Sequence, residues 1–388
     1  MSTATATAVR PGHAWPAVLA VTAGIFVIVT AEILPIGLLT SIGSGFAVSD
    51  GMAGLTMTMP GFLAAVAAPL VTVATARLDR RAVLCGLMLV LLVANALAAV
   101  ATAFWVLLAS RVLVGVVIGG FWSVGAGLAA RLVPPVAVGR ATAVVFATVP
   151  LGSVLGVPAG TLIGDLAGWR AAFAVLAVLS GAVFAALVST LPRLPAEAPT
   201  RPAVLQGLLR SGGTRVALAA TFLIVLAHFG AYTYVTPFLE RVTGVGPAAV
   251  TVMLLVYGAA GIGGNLVLGA MVARFPRAAF AAAAVAIATA TLLLPVFGRD
   301  PVGAVALLVL WGAAYGGVPV CSQTWFANAA PGAREAASVL FTASFQATIG
   351  LGALAGGAVV DASSPAAVMA AAGAVALLMA VLVAARRA

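Results

Sequence analysis

Apolar residues run through this chain in blocks about twenty residues long, and short polar stretches between them hold nearly all of its charges. The blocks cover 15–40, 52–76, 82–101, 104–130, 141–163 and 169–191, then 216–239, 248–272, 278–297, 302–326, 337–360 and 364–385. A helix that crosses the hydrocarbon layer of a bilayer needs roughly 20 apolar residues, so each block predicts one transmembrane helix, twelve in all. The one long polar interruption, 192–214, contains Pro192, Pro195, Pro199 and Pro202 together with Arg193, Arg201 and Arg210. It reads as a linker between two sets of six. The expected organisation is a cytoplasmic tail over 1–14, a six-helix bundle over 15–191, the linker over 192–214 and a second bundle over 215–388.

Composition agrees with a lipid environment. Of 388 residues, 63% are hydrophobic and only 7% charged, and the mean hydropathy is +1.22. Soluble domains carry about 25% charged residues, so this chain lacks the polar surface of a water-exposed globule. The net charge of +10 raises the question of nucleic acid. The basic residues are all arginines scattered between apolar blocks, with no basic stripe interleaved with aromatics, and a nucleic-acid partner is not expected. Cys85 and Cys321 lie inside apolar blocks, which argues against a disulfide framework or a metal cluster. No HExxH, CxxC, Walker or GxSxG pattern occurs, so neither an enzyme nor a bound cofactor is expected. The first block is too long for a cleaved signal segment and reads as a retained span.

The arginines also set an orientation. With the N-terminus placed inside, fifteen of the nineteen fall in inner segments and three, Arg170, Arg241 and Arg299, in outer loops. That asymmetry predicts both termini on the cytoplasmic side. Arg111 is left inside a span.

The chain also resembles itself. At an offset of 197 residues, Val112–Gly120 lies over Val309–Gly317 with VLxGxxxGG in common, Pro134 over Pro331, Ala76-Arg77 over Ala273-Arg274, and Arg80 over Arg277. Two parallel six-helix repeats around a central cavity form a transporter architecture.

Several motifs carry a family resemblance. Ala76-Arg77-Leu78-Asp79-Arg80-Arg81 is similar to the loop signature between the second and third spans of the major facilitator superfamily, with Thr75 where a glycine is usual. Ser110-Arg111-Val112-Leu113-Val114-Gly115 resembles its RxxQG element, with Val114 in place of Gln. Leu155-Gly156-Val157-Pro158-Ala159-Gly160-Thr161, followed by Gly168-Trp169-Arg170 and Phe173, resembles the antiporter motif of the sugar and arabinose efflux relatives. Thr233–Leu239 fits that subgroup, while Gly119-Gly120-Phe121-Trp122 and Arg131–Pro135 look closest to purine ribonucleoside efflux transporters. The resemblance implies a twelve-span drug:proton antiporter that exports its substrate, a gating role for the loop residues Asp79, Arg80 and Arg81, and a proton gradient as energy source.

Buried ionisable groups are few enough to weigh singly. A charge at the bilayer centre costs about 2.5–3.5 kcal/mol on insertion scales. Glu32 is the only acid deep in a block, roughly 12 Å from its outer end, and Arg111 lies at a similar depth of about 10 Å. One reading is a proton site at Glu32 tuned by Arg111, because a neighbouring cation favours the ionised carboxylate and burial the neutral form. The other is a static ion pair. His228 is a second proton-coupling candidate, weighed against a hydrogen-bonded core histidine. Trp122, Tyr232, Tyr234, Asn265, Tyr315, Gln323 and Gln346 are the candidate substrate contacts, weighed against packing and interhelical hydrogen bonding. Gly115, Gly152, Gly156 and Gly160 repeat at spacings that permit close helix approach, and Pro158 favours bending; both suit moving interfaces as well as static packing. The expected protein is a monomeric exporter in the bacterial inner membrane, moving a nucleoside, sugar or drug by proton antiport. An uptake permease of the same fold, and a membrane receptor or enzyme, are the alternatives.

Overall fold

The computed structural model describes residues 14–125, 128–195, 207, 210–272, 274–330 and 334–385. The expected N-terminal tail and most of the expected linker lie outside the described residues. Among the described residues the chain is all helix and turn, with no strand. In chain order the helices are α1 Ala14–Gly37, α2 Leu39–Phe46, α3 Asp50–Ala74, α4 Arg80–Ala99, α5 Phe104–Gly125, α6 Ala129–Leu132, α7 Val138–Ala167 and α8 Trp169–Thr190. After these come α9 Gly212–Tyr232, α10 Val235–Phe238, α11 Pro247–Val272, α12 Pro276–Phe297, α13 Pro301–Gly316, α14 Val318–Ala329, α15 Arg334–Ala362 and α16 Pro365–Ala385. Eleven stretches of the described residues are long and apolar enough to cross a membrane. α7, 30 residues long, and the single turn Pro135–Ala137 before it add two shorter apolar stretches, Pro135–Val145 and Val154–Ala167.

Three apolar blocks prove to be broken helices. The block 216–239 divides at Thr233-Tyr234 and the block 302–326 at Gly317. Proline explains both breaks: Pro237 and Pro319 cannot donate to the carbonyls four residues upstream, Thr233 and Tyr315, and the helices end there. The first block breaks at Leu38, after Pro35, so α1 runs unbroken through its own proline. Other boundaries have ordinary causes. Ser49 caps α3 by accepting from the Met52 N–H at 3.1 Å, and Asp79 caps α4 by accepting from the Arg81 N–H at 2.8 Å. Gly168 takes φ +83° between α7 and α8, where a side chain would be strained.

The internal repeat is visible in the packing. A Cβ at Gly115 in α5 would meet the Pro60 carbonyl of α3 at 2.7 Å, and one at Gly119 the Ala68 N–H at 2.7 Å and the Ala64 carbonyl. In α13, Gly312 lies against the Tyr257 carbonyl and Gly316 against the Gly261 carbonyl of α11. All four pairings are related by the same shift of 197 residues. Helices without a mutual hydrophobic drive in lipid associate through such close backbone contact.

The helices before residue 195 and those after 210 meet along two seams, α3 with α15 and α7 with α11. At the first, a Cβ on Gly61 would lie 2.6 Å from the Gly350 N–H nitrogen and 2.7 Å from the Gln346 carbonyl oxygen. At the second, a Cβ on Gly258 would lie 2.8 Å from Val154 Cα. Gly61 and Gly258 are again 197 residues apart. The seams close one end of the molecule, the end carrying Asp50.

Candidate functional site

Between the two sets of helices lies a cavity of about 440 Å³. Glu32 and Gln346 stand in its wall, and Trp122 on α5, Gln323 on α14 and Phe341 on α15 line it toward the opposite end, the end carrying Asp79. His228, Tyr232, Asn265 and Tyr315 also line it. Six of the seven residues expected to contact substrate are therefore brought together. Tyr234 is the exception: the break after α9 turns it into the α3–α15 seam, where its hydroxyl donates to the Ala353 carbonyl at 2.7 Å. It is fully buried there against Gly54, so it is a seam residue and not a cavity contact.

One wall is aromatic. His228 lies within 5° of parallel to Tyr315 and within 22° of Tyr232, and Tyr232 within 23° of Tyr257. Trp311 stands behind them and its Nε1–H donates to His228 Nδ1 at 3.1 Å. With Nδ1 accepting, a neutral His228 carries its proton on Nε2. The Tyr257 hydroxyl is buried without a partner. Tyr257 is a cavity residue the sequence reading missed.

Of the two readings of Glu32 and Arg111, the static ion pair is not formed among the described residues. Gln346 Nε2 donates to Glu32 Oε1 at 2.9 Å, a bond between the two sets of helices. Arg111 is wholly buried outside the cavity and donates instead to backbone, to the Ala31 carbonyl at 2.6 Å and the Thr56 carbonyl at 3.3 Å. Long-range attraction between Arg111 and Glu32 remains, but contact does not.

The motif glycines face inward within the first set. Gly152 packs on Val29, Gly156 on Thr30 and Gly160 on Leu34, all on α1, and Gly115 packs on α3. Pro158 is buried in the same helix as the first three. Close approach between the sets occurs at Gly61 and Gly258 instead. The loop residues also serve the first set: Asp79 accepts from the Leu194 N–H at 3.0 Å, Arg81 donates to the Val188 carbonyl at 2.5 Å, and Arg80 reaches back to Thr75 at 3.4 Å.

At the Asp50 end, polar contacts join the sets in a cluster that the sequence did not reveal. Arg241 pairs with both oxygens of Asp50, at 2.5 and 2.9 Å. Asp361 accepts from Ser49 Oγ at 2.7 Å and from the Gly51 N–H at 2.9 Å, completing the cap of α3 from the opposite set. Thr40 donates to Glu240 at 3.2 Å, Thr236 to the Ile36 carbonyl at 2.9 Å, and Thr251 to Thr161 at 2.9 Å. Burial pushes the Glu240 carboxyl up; Thr40 and Arg241 oppose that shift and Asp50 adds to it. These contacts, with the Glu32–Gln346 bond, join the two sets. Arg241 is 55% exposed, so screening limits its pair with Asp50 to about 1 kcal/mol or less. Accordingly, Asp50→Asn should raise labelling of a Thr236→Cys probe by an impermeant maleimide roughly threefold. Unchanged labelling would remove the ion pair from the closure.

The Major Facilitator Superfamily sequence profile matches residues 21–341. The chain belongs to that superfamily. It is a transporter of multi-pass, helical type and not an enzyme. It is 36% identical over 351 residues to the transcription regulatory protein OpdE of Pseudomonas aeruginosa, covering 89% of this chain and 87% of that protein. It is 30% identical over 347 residues to the purine ribonucleoside efflux pump NepI of Escherichia coli (strain K12), covering 89% and 88%. Among solved structures, a bacterial homolog of the human lysosomal transporter Spinster, in an inward-facing and occupied conformation, superposes with a TM-score of 0.78 at 16% identity, covering 97% of each chain. That likeness concerns the fold.

Proposed function

We propose that the chain is a proton-coupled exporter of a planar, polar solute of the purine ribonucleoside class. It works in the bacterial inner membrane as a monomer, with twelve spans, both termini cytoplasmic, and bundles 15–191 and 215–388 rocking about the central cavity. The arginine asymmetry supports this orientation. In it the Asp50 end is periplasmic and closed, and the cavity faces the cytoplasm, the side from which an exporter loads.

The observation that carries the substrate class is the stacked wall of His228, Tyr315, Tyr232 and Tyr257 beside Glu32 and Gln346. Parallel aromatic faces suit a flat heterocycle, while Asn265 and Gln323 suit its polar edge and a ribose. The name of the NepI relatives points the same way. A sugar or an amphiphilic drug would use less of that wall.

Glu32 is the proton site of this reading. Gln346 serves the coupling directly: its amide can donate to a carboxylate or, turned over, accept from a carboxylic acid. The energy source is the proton gradient, and His228, held by Trp311, orients substrate rather than relaying protons.

Stacking of a base on an aromatic side chain is worth about 1–3 kcal/mol. Tyr315→Ala should therefore weaken binding of a radiolabelled purine ribonucleoside to the purified protein roughly tenfold or more. Equal affinity in the wild type and the variant would overturn the substrate class, and a competing sugar panel would replace it.

A further inference from the structure

We infer that Arg111 is a backbone clamp for two carbonyls that prolines leave without helical partners, and that this clamp, not an ion pair, sets the position of Glu32. Pro35 in α1 has no N–H to give to Ala31, and Pro60 in α3 has none to give to Thr56. These are the two carbonyls that Arg111 takes, through Nη2 at 2.6 Å and Nε at 3.3 Å. Both helices continue unbroken past these prolines, as α3 does past Pro69 and α12 past Pro295, whereas α9 and α13 end where Pro237 and Pro319 vacate a carbonyl. Phe173, the last residue of the antiporter motif, lies under the guanidinium with its ring centre 5.8 Å away. Nε and Nη2 are met in this way, while Nη1 is buried without a partner.

The internal repeat supplies a control. At the shift of 197 residues, Pro60 corresponds to Tyr257 and Arg111 to Leu308. The glycine contacts of α5 on α3 and of α13 on α11 establish that register. α9, the counterpart of α1, contains no proline. The second set thus vacates no carbonyl at these places and has an apolar, fully buried leucine where the first has its arginine.

The clamp has a functional consequence. Ala31 is the neighbour of Glu32, and Thr56 lies half a turn from Thr58, whose carbonyl sits 2.9 Å from the Cβ position of Gly350 in the seam. Arg111 therefore fixes the segment carrying Glu32 against the helix that forms the α3–α15 closure. It is a positioning residue.

Arg111→Lys keeps the charge but replaces the rigid planar fork that meets both carbonyls with a shorter, strongly hydrated ammonium. Thermal unfolding of the purified protein should show this variant roughly tenfold less stable against unfolding, the scale of one lost charge-assisted hydrogen bond. Adding Pro35→Ala and Pro60→Ala restores the missing N–H groups and should return it to within about threefold of the wild type. Pro35→Ala/Pro60→Ala alone should stay near wild type, because each carbonyl has two lone pairs. The pH profile of transport in the triple variant should keep its wild-type midpoint. Wild-type stability of Arg111→Lys, failure of the two alanines to restore it, or a shifted midpoint in the restored protein would each overturn the clamp. The unfolding readout does not depend on Glu32 being the proton site; Glu32→Gln tests that separately.

Discussion

Glu32→Gln should abolish uphill, proton-driven export while leaving exchange of labelled for unlabelled substrate across the membrane intact. The substitution keeps the size and one carbonyl oxygen of the side chain, so the Gln346 Nε2–H, 2.9 Å from Glu32 Oε1, still has an acceptor. The ability to bind and release a proton is removed. Coupled flux should fall at least ~30-fold, beyond the roughly tenfold expected from loss of a single hydrogen bond. Exchange requires only rocking with substrate bound, and should stay within about threefold of wild type. Loss of both would indicate a damaged cavity, and the conservative geometry of Gln at this position makes that outcome a contradiction of the proposed role. Retention of both would place the proton elsewhere.

The second large effect belongs to the seams. Gly61→Leu should leave the protein inserted and reduce transport to background. Its Cβ alone would lie 2.6 Å from a backbone nitrogen and 2.7 Å from a carbonyl oxygen of α15, and neither can move without moving the helix. The end carrying Asp50 could then close only by spreading α3 from α15, which would break the Asp361 cap of α3 and the Glu32–Gln346 bond together. Gly258→Leu should act in the same way through Val154 on α7. Both variants should bias the protein toward the conformation open at the Asp50 end, read as faster labelling of the Thr236→Cys probe. Gly156→Leu, by contrast, collides with Thr30 inside the first set. It should lower thermal stability as well as transport.

Much of this was legible in the sequence, and the reason differs by feature. Helix positions followed from block length, because the thickness of a bilayer sets a length that composition alone can meet. The repeat was legible because glycines at a close backbone contact have few substitutes, and the VLxGxxxGG match marks the helices that pack on α3 and α11. Cavity residues such as His228 and Gln346 stood out as polar groups in apolar blocks. The two readings of Glu32 and Arg111 stayed unresolved in the sequence because equal depth in two helices does not fix which way two side chains face. The same arithmetic of four residues back from a proline, applied to Pro35 and Pro60, would have named Ala31 and Thr56 as hydrogen-bond acceptors in search of a donor. Tyr234 was misplaced because the break after Tyr232 rotates the chain off the helical face it would otherwise share. The Asp50, Arg241 and Asp361 cluster was hidden because its members lie up to 311 residues apart and each is an ordinary polar residue at a helix end.

The central claim is that substrate leaves against its gradient at the expense of protons. Proteoliposomes of known orientation, loaded with a labelled purine ribonucleoside and placed in a more acidic medium, test it directly. Net efflux from molecules whose Asp50 face is outward should continue past equal concentrations on the two sides, and collapsing the pH difference with an ionophore should stop it there. Efflux that ends at equal concentrations with the pH gradient intact would contradict proton-driven export.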